Sequence, residues 1–162
     1  MLKTRQLNYA AVRVRIGVMF EQNVISPGRL DLLGESPHDA LLAAYQDIDI
    51  ALDPYPYSGG LTTCEALWMG VPVITLLGKA FAHRHAASHL HNAGLADWVA
   101  DTPEKYLAIA AAQCNDLESL ARLRSGLRQR IVQSPLCDAT RFAANLEAAL
   151  RRIWRRWCES QR

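Results

Sequence analysis

The segment 48–77 constrains the fold of this chain more than any other feature. It contains an apolar run (48–52), a loop rich in proline and glycine (53–60), a short stretch with helical spacing (61–69), a Gly70–Pro72 stop and a second apolar run (73–77). Short apolar runs bounded by turn residues are typical of buried strands, and a glycine followed by proline ends a helix. The order strand–helix–strand predicts parallel strands joined by a right-handed crossover.

The rest of the chain continues this alternation and then becomes helical. We predict helices over 8–20, 36–46, 81–92, 103–114, 117–132 and 139–158, and short strands over 29–34 and 97–100. Ser36 and Thr102, each followed by proline, are expected N-caps, with Asp39 completing a capping box. The prediction is an α/β fold, a Rossmann-like parallel sheet with extra C-terminal helices. We expect one domain over 1–162, of which 103–162 is all helical.

The loop and helix start at 59–65 have the composition of an anion site. Gly59 and Gly60 let a ligand approach the backbone, and Thr62 and Thr63 add hydroxyl donors. The first turn of a helix has free N–H groups and a partial positive charge, which attract phosphate. Glu65 lies where a carboxylate can accept hydrogen bonds from a ribose. The same residues also serve as an ordinary helix cap, so the pattern alone leaves both interpretations open.

Composition and charge exclude several classes of protein. The sequence contains no run of eighteen apolar residues, so it predicts no transmembrane helix. The net charge is +2, but 151–162 contains five arginines and one glutamate, which leaves 1–150 with about −2. We therefore expect neither a membrane nor a nucleic acid as partner. The four cysteines show no metal-site or disulfide spacing and are expected to be reduced, mostly packed thiols of a cytoplasmic protein.

Several segments together resemble a known family. They are Asp-Ile-Ala-Leu-Asp-Pro-Tyr-Pro-Tyr at 49–57, Thr-Thr at 62–63, Glu-Ala-Leu-Trp-Met-Gly-Val-Pro-Val at 65–73, Arg84, and Ala-Ser at 87–88. This order is similar to the donor-nucleotide half of GT-B glycosyltransferases. More narrowly, it resembles the C-terminal part of the catalytic region of the O-linked N-acetylglucosamine transferases and their SPINDLY-like relatives.

The resemblance implies a function and a set of site residues. The family transfers N-acetylglucosamine or a similar sugar from UDP to Ser/Thr of proteins with inversion, so the partners would be UDP-N-acetylglucosamine or a related UDP-sugar and a protein acceptor. The implied nucleotide-binding residues are Gly59, Gly60, Thr62 and Thr63 for phosphate, Glu65 for ribose, His38 and Leu41 near the uracil, and Arg84 near the donor pocket. No cofactor or metal is expected, and no catalytic residue can be named in this chain.

The chain departs from the family pattern at four positions. Ser58 replaces an asparagine, Gly60 stands where relatives have histidine or threonine, Leu61 replaces a threonine and Leu41 replaces a histidine. These changes remove side-chain donors but leave a backbone-based phosphate turn intact. Arg84 has an alternative role, capping neighbouring carbonyl groups, and His38 an alternative as a surface histidine.

The resemblance also implies a missing N-terminal catalytic domain, because relatives carry a first strand, a lysine-bearing loop and an acceptor domain upstream. We expect the chain to be a fragment with little activity alone. A second hypothesis is a non-catalytic remnant that binds a protein partner through its basic C-terminal helix. A sugar-nucleotide epimerase, which shares the GT-B plan, is a third and is disfavoured by the segments at 49–57 and 62–70.

Three further expectations concern individual side chains. The C-terminal helix should present an apolar stripe, formed by Phe142, Leu146, Leu150, Ile153 and Trp157. In a GT-B enzyme this helix braces the other domain, and without that domain the stripe should be exposed. The histidines at 83–91 are expected to be solvated rather than metal ligands, although His85 and His89 are one turn apart. Trp68 is expected in the core.

Overall fold

The computed structural model describes residues 1–161. Its contacts divide the chain into two compact units, Met1–Ile48 and a second that begins at Asp49. In the first unit, strands β1 (Leu2–Lys3) and β2 (Leu32–Leu33) pair in parallel, with helix α1 (Ala10–Gln22) between them. Helix α2 (His38–Ala43) follows and continues as a 3-10 turn to Asp47. The predicted helix over 8–20 is confirmed, whereas the strand predicted over 29–34 has only two residues.

The capping box predicted at Ser36 is wrong. Pro37 is the N-cap residue of α2 and has the extended ψ of 153°, so the helix begins one residue later than expected. Because of this shift, the Ser36 hydroxyl does not reach a first-turn amide; it is buried without a hydrogen-bond partner. A proline fixes φ but leaves ψ free, and here the chain is still extended at that residue.

The second unit contains a three-stranded parallel sheet in the order β3–β4–β5, namely Ala51–Leu52, Val73–Leu76 and Val99–Ala100. Five helices accompany it: α3 (Leu61–Trp68), α4 (His85–Asn92), α5 (Pro103–Asn115), α6 (Leu117–Val132) and α7 (Ala139–Ser160). The predicted α/β class, parallel pairing and helical C-terminal part are therefore confirmed. Three predicted helix ends also agree, because Gly70 and Gly94 have positive φ and Thr102 accepts a hydrogen bond from the Lys105 amide. The helix predicted over 81–92 begins only at His85, after a 3-10 turn at Phe81–His83.

The central strand β4 carries the core of this unit. Val73, Ile74 and Thr75 are buried, as expected for a strand covered on both faces. The prediction that 48–52 forms a buried strand is wrong. Only Ala51 and Leu52 pair, and Leu52 is 58% exposed, because β3 lies at an edge of this sheet and has one partner strand in it.

Trp68 is also not in the core; it is 41% exposed. Helix α3 buries Thr63, Ala66 and Leu67, which lie on one face at spacings of three and four residues, and position 68 falls beside that face. The Arg128 guanidinium of α6 lies 5.0 Å from the Trp68 ring centroid, and its Nε donates to the Trp68 carbonyl oxygen at 2.9 Å. The indole thus anchors α6 to α3 from the surface.

Helix α7 has no buried residue along its length. Its apolar stripe is exposed, as expected, at Phe142, Leu146, Leu150, Ile153 and Trp157. Trp154 stacks on Trp157 with ring centroids 5.2 Å apart. Over the described residues, no helix combines the length and apolarity needed to cross a bilayer.

All four cysteines are free thiols. The expectation that they are mostly packed is wrong, because Cys114 and Cys137 are exposed and the other two only partly covered. Burial raises the pKa of Cys64, with smaller contributions from Cys137 and Glu65.

Replacing Arg128 with alanine removes both the contact with the indole and the charged hydrogen bond to Trp68. We expect a loss of about 1 kcal/mol of unfolding free energy in urea titrations. Arg122→Ala on the same helix is the matched control, because it removes a solvent-exposed ion pair with Glu118 and should change stability by less than about 0.5 kcal/mol. Equal losses in the two variants would contradict the anchoring role.

Candidate functional site

The loop 53–60 leaves the carboxyl end of β3 and enters the N-terminus of α3. In open parallel sheets, ligands bind at this edge of the sheet. The loop contains three residues that the sequence analysis singled out, Ser58, Gly59 and Gly60, so its internal bonds determine what the site can do.

The Asp53 carboxylate organises this loop. It is 7% exposed and accepts three hydrogen bonds: its Oδ2 from the hydroxyls of Ser58 (3.0 Å) and Thr75 (2.6 Å), and its Oδ1 from the Gly59 amide (2.7 Å). A buried carboxylate is stable when donors surround it, and here they do. The bonds join the end of β3, the central strand β4 and the glycine turn.

Ser58 extends these bonds to α4. Its hydroxyl donates to Asp53 and accepts from the Ala86 amide at 2.8 Å, while its own amide donates to the Ala82 carbonyl at 3.0 Å. Ser58 is buried. Ser58, at the position where the resemblance implies an asparagine, therefore has a structural role: it fixes the turn against the start of α4.

Gly59 occupies a position that has no room for a side chain. A Cβ there would lie 2.7 Å from Thr63 Oγ1, 3.0 Å from Thr62 Oγ1 and 3.1 Å from Asp53 Oδ1. At Gly60, by contrast, the nearest atom to an added Cβ is His85 Nδ1 at 3.9 Å, an ordinary contact. The turn is tight at the first glycine and open at the second.

The two threonines differ in their environments. The Thr63 hydroxyl is buried and donates to the Gly59 carbonyl at 2.9 Å, so it stabilises the turn. Thr62 lies beside it on the exposed side of α3. Helix α3 begins here, with Gly60 as its N-cap residue and no side-chain hydrogen bond at the cap, and the first-turn amides of a helix attract anions. Glu65 is partly exposed on the next turn.

Aromatic rings and histidines surround the turn. Exposed Tyr55, Tyr57 and Phe81 contact His83 or His85, with centroid distances of 5.5 Å (Tyr55–His83), 6.3 Å (Tyr57–His85) and 4.7 Å (Phe81–His85). The expectation of solvated histidines is correct for His91 and wrong for the others. His85 and His89 are partly buried, and burial, followed by the effect of His85, lowers the pKa of His89. Among residues 1–161, no group of three potential ligands is placed to hold a metal ion.

The remaining predicted residues lie elsewhere. Arg84 is the N-cap residue of α4, and its Nη1 donates to the Gly78 carbonyl at 3.0 Å, the capping role that the sequence left open. His38 and Leu41 lie on α2 in the first unit, His38 exposed and Leu41 partly buried. The structure brings the turn residues together with Glu65 in the second unit.

Sequence reasoning missed Asp53, Thr75 and Tyr106. The Tyr106 hydroxyl donates to the Asp53 carbonyl at 3.2 Å beside a cavity of about 270 Å³. Burial, followed by the Asp53 charge, raises the pKa of Tyr106 to about 12, so the phenol keeps its proton at neutral pH. A usable signal existed for two of the three: Asp53 directly follows an apolar run, and Thr75 interrupts the next one.

The difference between the two glycines gives a matched pair of variants. Gly59→Ala forces the turn apart, and we expect a loss of about 1–3 kcal/mol of unfolding free energy, the usual range for overpacking. Gly60→Ala meets only an ordinary contact and should be nearly neutral in the same urea titration. A neutral Gly59→Ala variant would refute the close packing described above.

Asp53→Asn tests whether the carboxylate organises the loop. The amide group of asparagine replaces one acceptor with a donor, so a buried donor of the loop loses its partner, a loss of about 1–3 kcal/mol. Chemical denaturation of this variant is compared with that of Asp97→Asn, an exposed aspartate of the same unit. If both variants unfold at the same denaturant concentration as the parent, the three hydrogen bonds contribute nothing to stability.

Comparisons with known proteins identify the family of the chain. The model of glycosyl transferase family 41 matches residues 14–146. A probable UDP-N-acetylglucosamine–peptide N-acetylglucosaminyltransferase SPINDLY of Petunia hybrida is 40% identical over 98% of this chain, and its Solanum lycopersicum counterpart is 41% identical over 92%. The chain spans about a sixth of these relatives, 17% and 16% of their lengths.

A solved structure shows the same fold. A mutant O-GlcNAc transferase of Thermobaculum terrenum superimposes with a TM-score of 0.89 at 43% identity, over 99% of this chain and 31% of that one. The predicted GT-B type of α/β fold and the predicted family are thereby confirmed. The chain belongs to glycosyl transferase family 41.

Proposed function

We propose that the turn 58–63 binds the diphosphate of a UDP-sugar. The observation that carries this proposal is Gly59, packed too tightly for any side chain, at a helix start whose loop is fixed by buried hydrogen bonds. The turn lies at the carboxyl edge of a parallel sheet in a chain of family 41. Its plant relatives are probable UDP-N-acetylglucosamine–peptide N-acetylglucosaminyltransferases.

In this proposal the chain is the donor-binding part of a protein O-glycosyltransferase. The whole enzyme transfers N-acetylglucosamine, or a similar sugar, to Ser or Thr of an acceptor protein and inverts the anomeric centre. As the bond to UDP breaks, negative charge develops on the diphosphate. Fixed amide dipoles at the start of α3 stabilise that charge without reorganising, which is how preorganised sites lower a barrier. The chain alone binds donor and transfers little, because the acceptor side and the general base belong to another domain.

The proposal gives the turn residues different roles. Thr62, on the exposed side, supplies its hydroxyl to phosphate, whereas Thr63 contributes its backbone amide and uses its hydroxyl to fix Gly59. Glu65 accepts from the ribose, one turn further along the helix. His38 and Leu41 remain proposed uracil neighbours, and Arg84 a proposed donor-pocket residue that acts by positioning the loop at Gly78.

No metal ion takes part in donor binding in this proposal; the positive potential comes from the helix start. The cytoplasm is the proposed compartment. The four free cysteines support a reducing environment, since two of them are exposed.

Calorimetric titration of the full chain with UDP tests the function, with uridine as the comparison ligand. We expect saturable binding of UDP, and we expect Thr62→Ala to weaken it about tenfold while leaving uridine affinity unchanged, because one charge-assisted hydrogen bond is lost. Thr140→Ala, at an exposed threonine of α7, is the matched control. Absence of UDP binding by a folded parent protein would refute the proposal.

A second candidate function is a protein-interaction module without catalysis. The exposed stripe of α7, flanked by arginine pairs at 151–152 and 155–156, is the observation that favours it. The two functions give opposite results in the UDP titration, because the module requires no nucleotide.

A further inference from the structure

We propose that His85 is a further diphosphate-binding residue, supplying from α4 the side-chain donor that position 60 lacks. This inference rests on the proposed function of the turn. A Cβ added to Gly60 would lie 3.9 Å from His85 Nδ1, so the imidazole lies over the backbone where a residue-60 side chain would begin.

The imidazole is fixed relative to the turn by the next residue along the chain. The amide of Ala86 donates to the Ser58 hydroxyl at 2.8 Å, and this bond is buried. Ser58 in turn donates to Asp53, whose carboxylate accepts from the Gly59 amide. The start of α4 and the glycine turn are therefore parts of one hydrogen-bonded assembly, and the distance between His85 and Gly60 follows from it.

Neighbouring rings set the orientation of the imidazole. The Phe81 ring packs edge-on against it, with ring centroids 4.7 Å apart. The Tyr57 ring is also edge-on to the imidazole, with centroids 6.3 Å apart and an interplanar angle of 84°. Phe81 and Tyr57 are both largely exposed, which leaves the ring accessible to a ligand beside them. His83 does not qualify for the same role, because its ring contacts Tyr55 and its Nδ1 is buried against the backbone near Gly78.

The chemistry suits a diphosphate. A neutral imidazole whose Nδ1 carries hydrogen donates one hydrogen bond to a phosphate oxygen, and the protonated ring donates a stronger one. Within the turn, the Gly59 amide and the Thr63 hydroxyl are already used by Asp53 and by the Gly59 carbonyl. A donor arriving from α4 adds to the first-turn amides of α3 without disturbing those bonds.

The test compares two replacements of His85 that differ in one property. His85→Leu keeps apolar packing against Phe81 but has no donor, whereas His85→Asn places an amide N–H close to the position of Nδ1. We expect His85→Leu to weaken UDP about tenfold with uridine affinity unchanged, and His85→Asn to retain most of the UDP affinity. Amide NMR titration reads both affinities, and His91→Leu, at an exposed histidine of the same helix, is the control.

A second-site variant tests the geometry directly. Gly60→Ser introduces a hydroxyl at the open position beside the imidazole. Combined with His85→Leu, it should restore UDP affinity to within about threefold of the parent, because a hydrogen bond from residue 60 replaces the one lost from residue 85. If circular dichroism shows that the double variant is folded but its UDP affinity is not restored, the inference that residues 60 and 85 reach the same phosphate would be contradicted.

The outcomes separate this inference from the proposed function. A parent protein that binds UDP together with an unaffected His85→Leu variant overturns the role of His85 and leaves the turn as the diphosphate site. Equal losses for UDP and uridine also overturn it, because the imidazole would then act on the nucleoside or the fold. A folded parent that does not bind UDP overturns both.

Discussion

The buried carboxylate of Asp53 is the interaction on which the site depends. One side chain receives donors from the central strand through Thr75, from the loop through Ser58 and from the glycine turn through the Gly59 amide. Ser58 passes the connection on to α4 at Ala86. The loop, strand β4 and helix α4 are thus held in fixed positions relative to one another by hydrogen bonds that centre on a single side chain. A buried carboxylate is stable only when hydrogen-bond donors surround it. The Asp53 charge therefore depends on the donors of the loop, and the conformation of the loop depends on Asp53 as their acceptor.

This arrangement places an anion beneath a turn proposed to bind an anion. Two charges near a protein surface interact by about 4 kcal/mol at 4 Å, a repulsion that the site must overcome. The three donors around Asp53 offset part of its charge, and the amides of α3 offer opposite potential. Because the Gly59 amide donates its hydrogen bond to the Asp53 carboxylate, it is not a donor to the ligand in this proposal. Gly59 instead allows the close packing of the turn. In the proposed site, the remaining donors to the ligand come from the first turn of α3, from Thr62 and, as inferred above, from His85.

Local pattern predicted the elements, and tertiary context decided the exceptions. Helices α5, α6 and α7 and the stops at Gly70 and Gly94 follow from capping residues, periodicity and glycine, which act within a few residues. The prediction that Trp68 is buried was wrong because the buried face of a helix covers only some positions of each turn. The prediction that Leu52 is buried was wrong because an apolar run does not reveal whether its strand lies at the edge of a sheet. The turn was identified from its glycines and threonines. The Asp53–Thr75 bond spans 22 residues and depends on strand register, so the network holding the turn was not predictable from either segment alone.

The turn proposed to bind the nucleotide and the exposed face of α7 consist of different residues of this chain. Every hydrogen bond described for Asp53, Ser58 and Gly59 comes from residues between 53 and 106, within the part of the chain that the structure describes. The stripe on α7 contributes to none of them. Burying a large apolar side chain stabilises by about 1.5–3 kcal/mol, so covering five of them would exceed the stability of many small domains. The turn therefore forms without that gain, and an occupant of the stripe would act on the stability of the chain while leaving the geometry of the turn, which Asp53 sets, unchanged.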